Sequence, residues 1–175
     1  MALRKGHCYT PRKRAYTRKS RLRSKNYVKA GPPSKISKFI MGDSPSYFAG
    51  KFDLMISFLT CQEIQLRDNS LEAARQLILR HLNNDVKTFC FFLHKYPHHI
   101  LRENKMLTGA GADRMQSGMK HCFGKPVNLA AQVKAGEKIF SVACNLDKAK
   151  DVHRILDMAK PKLPKKYTIV EEKLK

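Results

Sequence analysis

Runs of β-branched and aromatic residues predict a series of short strands along the chain. Ile36, Phe39 and Met41 mark a first extended run, and residues 52–60 form a stronger strand bounded by polar residues. A strand at 61–67 either continues the one before it or bends away from it. The remaining predicted strands cover residues 88–96, 98–102, 129–133, 138–144 and 166–170.

Two stretches repeat their apolar residues at helical spacing instead. The pattern predicts a helix at 71–82, for which Asp68, Asn69 and Ser70 are candidate caps and Glu72, three residues after Asn69, would complete a capping box. A second helix is predicted at 148–160, with Asp147 as its cap. Antiparallel-looking strands with two separated helices predict an α+β fold, mostly an antiparallel sheet with both helices packed on one face.

A glycine-rich stretch at 103–126 interrupts this pattern, because it shows neither strand alternation nor a sustained helical stripe. A segment of this length without periodicity is usually functional or disordered, since irregular backbone is hard to bury. We predict a projecting loop that meets an anion. Its glycines are Gly109, Gly111, Gly118 and Gly124, and its cations include Lys105, Arg114, Lys120 and Lys125.

Charge indicates what that anion is. The chain carries 35 Lys and Arg against 14 Asp and Glu, a net charge of +21, which points to a polyanion. Residues 1–42 hold +13 with no acidic residue, whereas residues 43–101 are neutral, 102–125 carry +3 and 126–175 carry +5. Nucleic acid is the first interpretation and an anionic membrane the alternative. The domain prediction is a basic extended arm at 1–35 and a single α+β domain at 36–175, with its loop at 103–126.

The arm alternates cations with aromatic rings. Such a segment stays disordered until phosphates neutralise it, and its tyrosines can then stack on unpaired bases. The alternative is a solvated tail, but solvated surfaces normally mix both signs of charge. The arm residues are Arg4, Lys5, Tyr9, Arg12, Lys13, Arg14, Tyr16, Arg18, Lys19, Arg21, Arg23, Lys25 and Tyr27.

Cysteine usage and hydropathy limit the class of protein. The five cysteines are dispersed and form no Cys-x-x-Cys pair, which is typical of reduced, cytoplasmic protein. The longest apolar run, residues 89–93, is far too short for a membrane span, and no secretory leader is recognisable. A transit peptide is the other interpretation of the acid-free start, although its prolines argue against an amphipathic helix there.

Enzyme-like motifs are weak. Adjacent pairs such as His98–His99 and His121–Cys122 would point their side chains apart, so we predict no metal site and no Cys–His nucleophile. Gly109 and Gly111 only begin a dinucleotide fingerprint, and no phosphate-binding P-loop is present. We therefore expect no catalysis and no cofactor.

Four motifs carry a family resemblance: ILRENKM at 100–106, AGADRMQSGM at 110–119, FGKPVNLAAQV at 123–133 and SLEAAR at 70–75. In order and spacing, the chain from about Arg4 to near Lys160 resembles the archaeal and eukaryotic ribosomal protein L-ten-e family, universal large-subunit protein sixteen. Without a long C-terminal extension, it is closest to the archaeal type.

The resemblance implies an α+β component of the large ribosomal subunit, bound to its rRNA near the A and P sites. Its partners would be large-subunit rRNA, tRNA acceptor ends and other large-subunit proteins, with no membrane and no homo-oligomer. The implied tRNA-proximal residues are Lys105, Met106, Leu107, Thr108, Gly109, Ala110, Gly111, Ala112, Asp113 and Arg114. Lys35, Arg102, Lys120 and Lys125 join the arm cations and Tyr9 and Tyr16 as candidate rRNA-binding residues.

Residue chemistry suggests how such a loop would work. Glycines allow main-chain N–H groups close to phosphate or ribose, Lys105 and Arg114 add charge, and Met106, Leu107 and Met115 can pack on bases. Two further hypotheses remain at this point: an RNA-modifying or RNA-processing enzyme with the loop as its active site, and a free basic RNA chaperone.

Overall fold

Antiparallel strands form two sheets in the computed structural model, which describes residues 6–10, 22–26, 28–104, 106, 109–115, 118 and 123–174. The five-stranded sheet has the order β1-β4-β7-β2-β8 and the three-stranded sheet the order β3-β6-β5. The strands are β1 Ile40–Gly42, β2 Leu54–Thr60, β3 Ile64–Arg67, β4 Cys90–Leu93, β5 His99–Glu103, β6 Lys125–Val133, β7 Lys138–Cys144 and β8 Tyr167–Lys173.

The two sheets are connected by a pair of strand segments that bends from one sheet into the other. β2 pairs with β7 in the larger sheet, and their direct continuations β3 and β6 pair in the smaller one. Between them the chain bends at residues 61–63 and turns at 134–137, where Gly136 N donates to Thr60 O at 2.7 Å. This corner explains why strands that look contiguous in sequence belong to different sheets.

Four α-helices accompany the strands within the described residues: α1 Ser44–Phe48, α2 Asp68–His81, α3 Ala112–Met115 and α4 Ala149–Ala159. A π-helical turn, Leu82–Val86, extends α2, and 3₁₀ turns Leu146–Lys148 and Lys160–Lys162 flank α4. α4 packs on β2 and β7, whereas α2 packs on β3, β6 and α4. The apolar stripes of both helices join one core with the inward faces of both sheets.

That core is built from the residues whose periodicity predicts it. Phe58, Phe91 and Phe140 are fully buried. The ring centroid of Phe140 lies 6.1 Å from that of Phe58 and 5.6 Å from that of Phe91. On α4, Val152 and Ile155 are fully buried. The predicted α+β class with antiparallel pairing is confirmed, and the division into two sheets adds detail that the strand pattern lacks.

Strand ends differ modestly from the predicted ones. The strand predicted at 88–96 is limited to β4, Cys90–Leu93. β6 begins at Lys125 rather than at 129 because it pairs with β5 as far as Glu103, and β8 reaches Lys173 because it pairs along all of β2. Cross-strand partners, which no local pattern specifies, set these lengths.

Both predicted helix caps are wrong. α2 begins at Asp68, after Arg67, which makes no side-chain cap bond. Glu72 therefore lies in the second turn, beyond reach of a cap, and its carboxylate accepts hydrogen bonds from Arg75 Nε and Gln76 Nε2, each at 2.8 Å. Asp147 lies inside the 3₁₀ turn before α4, whose cap position is Lys148.

Candidate nucleic-acid interface

The glycine-rich loop leaves and re-enters the fold on two neighbouring strands. In the ladder between β5 and β6, Glu103 lies opposite Lys125 and Arg102 opposite Pro126, with an irregularity between Leu101 and Arg102. The backbone outside the ladder therefore begins at 104 and ends at 124. Paired strands therefore fix where the loop starts and ends, as in many functional loops carried by a rigid scaffold.

Gly124 lets the returning chain pass close to β5. A Cβ at this position would lie 3.0 Å from Glu103 N and 3.1 Å from both Arg102 Cβ and Glu103 C. Two of these three atoms are backbone and the third is a Cβ, so a larger residue here would need the neighbouring strand to shift by a few tenths of an ångström. The crossing brings Phe123 over Arg102, whose guanidinium carbon lies 4.2 Å from the ring centroid. Arg102, a predicted rRNA contact, is thus engaged with an aromatic ring.

The outer part of the loop is partly helical, which the sequence pattern did not predict. Gly109 and Gly111 have φ values of 138° and 78°, in the region that favours glycine, and the single helical turn α3 follows directly. Arg114 N donates to Gly111 O at 3.2 Å. Among the described residues, no atom lies within 4 Å of a Cβ built on either glycine, so these residues leave the backbone sterically open to a partner.

Apolar and cationic side chains extend from this turn into solvent. Met106 is 67% and Met115 81% exposed, and Arg114 is also exposed. Exposed methionines of this kind adapt their shape to a partner surface. Of the predicted tRNA-proximal set, Gly109, Ala110, Gly111 and Ala112 are placed together here. Lys105, Leu107 and Thr108, together with the side chain of Asp113, lie outside the described residues, as does Lys120.

The N-terminal part of the arm, at Gly6–Tyr9, contacts β3 of the three-stranded sheet. Gln65 on β3 is almost fully buried, and its Nε2 donates to the carbonyl oxygen of Cys8 at 2.8 Å. Gln132 lies opposite on β6 and donates to Gln65 Oε1 at 3.3 Å. Cys8 and Tyr9 belong to a 3₁₀ turn, Gly6–Tyr9, and both are half-buried. Tyr9, a predicted stacking residue, therefore packs partly against the protein.

Most arm predictions cannot be placed. Lys25 and Lys35 are exposed, as an rRNA contact requires. The remaining arm candidates lie outside the described residues: Arg4, Lys5, Arg12, Lys13, Arg14, Tyr16, Arg18, Lys19, Arg21 and Tyr27. The side chain of Arg23 also lies outside them.

Several buried polar residues on the strands near the Gln65–Cys8 contact were not predicted from the sequence. Arg67 on β3 and His99 on β5 are 6% and 3% exposed, and both lie opposite the small residue Ala130 of β6. With its amide oriented to satisfy both neighbours, Asn128 accepts from Arg67 Nη2 at 2.9 Å and donates to Val127 O at 2.9 Å. The alternation of Gln65 and Arg67 with Ile64 and Leu66 is the signal that could have revealed this polar face.

Asp68 lies at the junction of β3 and α2 and is 1% exposed. Burial raises the pKa of its carboxyl above the ordinary value of 3.8, against the opposing effects of the Asn69 backbone N–H and of the Lys35 and Arg67 charges. Lys35 therefore has an electrostatic link to the body of the protein.

The metal-ligating and nucleophilic side chains can be compared with the sequence predictions where the structure describes them. The part of the chain that the structure describes contains no cluster of three His, Cys, Asp or Glu side chains suited to a metal. Burial raises the pKa of both Cys90 and Cys144 to about 11, so these thiols are protonated and unreactive at neutral pH. His121 and Cys122 lie outside the described residues. Over the described residues, no helix has the length and hydropathy to cross a bilayer.

Comparison with known proteins gives the family. Residues 11–170 match the family model described as ribosomal protein L16p/L10e. The chain belongs to the L16p/L10e family of ribosomal proteins. This confirms the predicted resemblance, and it makes the chain a member of a structural family rather than an enzyme.

Members of the L16p/L10e family from archaea are similar over nearly their whole length. The large ribosomal subunit protein uL16 of Nanoarchaeum equitans is 38% identical over 180 residues, covering 98% of this chain and 95% of the relative. Those of Thermofilum pendens and Metallosphaera sedula are 41% identical over 181 residues and 39% over 183. These alignments cover 98% of both proteins in the first case, and 100% of this chain and 97% of the relative in the second.

Proposed function

We propose that this chain is a structural component of the large ribosomal subunit, which binds large-subunit rRNA near the A and P sites and helps to position tRNA acceptor ends. The arm at 1–35 would supply rRNA affinity, and the domain at 36–175 would hold the loop at 103–126. The protein itself carries out no bond-making, which is left to RNA. Its relatives are named as large-subunit proteins, and that supports the assignment.

The observation that carries the proposal is the way the loop is supported. Its ends are fixed by the Glu103–Lys125 pair on adjacent strands, while its outer turn offers open glycine backbone and exposed Met106, Met115 and Arg114. A fixed stem with an open tip suits a probe for tRNA. The reacting ends of two tRNAs must be held to within about 1 Å of their productive positions for full reactivity.

The arm and the loop share one support. Gln65 on β3 contacts the arm at Cys8, and β5 and β6 carry the loop, so both segments contact the three-stranded sheet. The arm provides the greater charge, +13 over residues 1–42 against +3 over 102–125, so most of the affinity for rRNA phosphates would come from the arm. The loop would add position rather than affinity.

The test separates binding from tRNA positioning. Replacing residues 107–112 by a Gly-Ser linker of equal length keeps the stem and removes the side chains of the tip. We expect both the variant and the wild-type chain to sediment with large subunits after a moderate salt wash. Peptide-bond formation with full-length tRNA should slow by about ten-fold, because misplaced reactants lose the advantage of orientation.

A matched control is Phe48→Ala, which removes an exposed ring on α1, remote in sequence from the loop. It should change neither sedimentation nor peptide-bond formation. Recovery of the wild-type chain only in light gradient fractions would reject the large-subunit assignment and favour a free RNA chaperone. A linker variant that fails to join the subunit would make the loop an assembly anchor instead of a tRNA contact.

A further inference from the structure

Phe123 is an exposed phenylalanine at the loop stem, and its position needs an explanation. It is 71% exposed, although a ring of this size normally contributes to a core. It lies two residues before Lys125, the first residue of β6, and next to Gly124, whose close approach to β5 fixes the path of the chain. The backbone that follows the ring is therefore fixed to the sheet.

Arg102 covers one side of this ring. Its guanidinium carbon is 4.2 Å from the ring centroid, well within the distance of a cation–π interaction. Arg102 itself is half-buried on β5, so the pair joins a rigid strand to an exposed ring. Lys125 is exposed nearby. The stem thus combines an aromatic surface with positive charge at fixed separation.

Another exposed phenylalanine shows the contrast. Phe48 is 75% exposed, but it lies on α1 and packs edge-on against Tyr47, with the centroids 5.6 Å apart. That arrangement belongs to a hydrophobic surface cluster with Tyr47 and Phe92. The Phe123–Arg102 pair has instead the composition of single-stranded nucleic acid sites, where rings stack on bases and cations meet the backbone.

We infer that Phe123, backed by Arg102, is a stacking platform for one unpaired RNA base at the root of the loop. The inference rests on the proposed function in that it assumes an RNA partner, and it assigns to the stem a contact separate from the tip. Paired bases are already stacked within their helix, so the platform selects an unpaired nucleotide. Lys125, exposed two residues along the chain from Phe123, meets that nucleotide's phosphate.

The absence of tryptophan from the chain permits a direct test. Phe123→Trp places a single indole on the platform, and Phe48→Trp places one on the control site. Poly(U) should quench the fluorescence of the Phe123→Trp protein, because a stacked base quenches indole emission. Inorganic polyphosphate, which has the charge without bases, should leave that emission unchanged. Phe48→Trp should respond to neither probe.

Phe123→Leu provides an independent measurement, because leucine keeps apolar bulk without a ring. We expect it to bind poly(U) about ten-fold more weakly than the wild-type chain and polyphosphate equally well. Equal quenching of the two tryptophan variants, or wild-type affinity of Phe123→Leu for poly(U), would overturn the inference. If poly(U) quenched the Phe123→Trp protein but the chain did not join large subunits, only the proposed function would be rejected. Subunit entry without quenching would reject only the stacking platform.

Discussion

The two sheets of this protein treat polar residues differently. On the five-stranded sheet, the buried hydroxyls of Ser57 and Ser141 lie 3.1 Å apart, and Ser141 Oγ is 2.8 Å from His94 Nε2. On the three-stranded sheet, buried Gln65 uses its amide to hold the carbonyl of Cys8 on the arm. The first sheet satisfies its polar groups internally and the second directs one outwards to another segment.

This contrast indicates a division of labour. Phe58, Phe91 and Phe140 of the larger sheet face the helices and supply apolar burial, the main stabilising contribution to folding. The smaller sheet contacts the arm at Cys8 and carries the loop at the ends of β5 and β6. Stability and the proposed RNA contacts can therefore be altered separately, and variants in the two sheets should behave differently.

The largest effect should come from the larger sheet. Phe140→Ala removes a fully buried ring that packs near Phe58 and Phe91, and we expect it to lower the free energy of unfolding by about 3–5 kcal/mol. Urea unfolding measures this. Phe48→Ala, at a 75% exposed position, should change stability by no more than about 0.5 kcal/mol. Similar losses for both variants would mean that the core is not where the structure places it.

An intermediate effect is expected at the loop stem. Gly124→Ala puts a methyl group 3.0 Å from Glu103 N, and relieving this contact should cost about 1–3 kcal/mol by moving the strands apart. In the Phe123→Trp background, the same change should reduce quenching by poly(U), because the ring loses its place over Arg102.

Gly31→Ala is the matched control for that variant. Among the described residues, its new methyl group would meet Ile100 Cδ1 alone, at 3.3 Å, and that atom is the end of a flexible side chain. We expect nearly wild-type stability and unchanged quenching. If both alanine variants were equally stable, the close crossing at Gly124 would not be needed for the fold.

The smallest effect should be a pH dependence at Asp68. Burial raises the pKa of this carboxyl, so the folded state binds its proton more tightly than the unfolded state does. The contribution of Asp68 to stability is therefore complete at pH values below its pKa in the unfolded chain. It is lost as the pH rises through its higher pKa in the folded protein. Relative to Asp68→Asn, the wild-type chain should therefore become less stable as pH rises from about 3 to 7 in urea titrations.

Asp43→Asn should show the opposite sign. Hydrogen bonds from Ser46 lower the pKa of Asp43 below 3.8, so its contribution is present above that value and is lost on acidification. Relative to this variant, the wild-type chain should lose stability as pH falls. The same trend for both aspartates would contradict the buried environment of Asp68.

Sequence periodicity predicts the helices and most strands because apolar stripes are local. It cannot predict the separation into two sheets, which depends on the bend at residues 61–63 and on pairing across the chain. The two cap predictions fail for a related reason, since preceding structure shifts each helix start. Phe123 over Arg102 was also unpredictable, because Gly124 brings two strands together that are separated by the whole loop.

The order of strands along the chain has a consequence for biosynthesis. β3, β5 and β6 have all been synthesised once residue 133 is added, so the three-stranded sheet can pair early. β2 must wait for β7 on one side and for β8, Tyr167–Lys173, on the other. Such distant pairing is slow to form. During translation, the sheet that anchors the arm and the loop is therefore available before the larger sheet closes around β2.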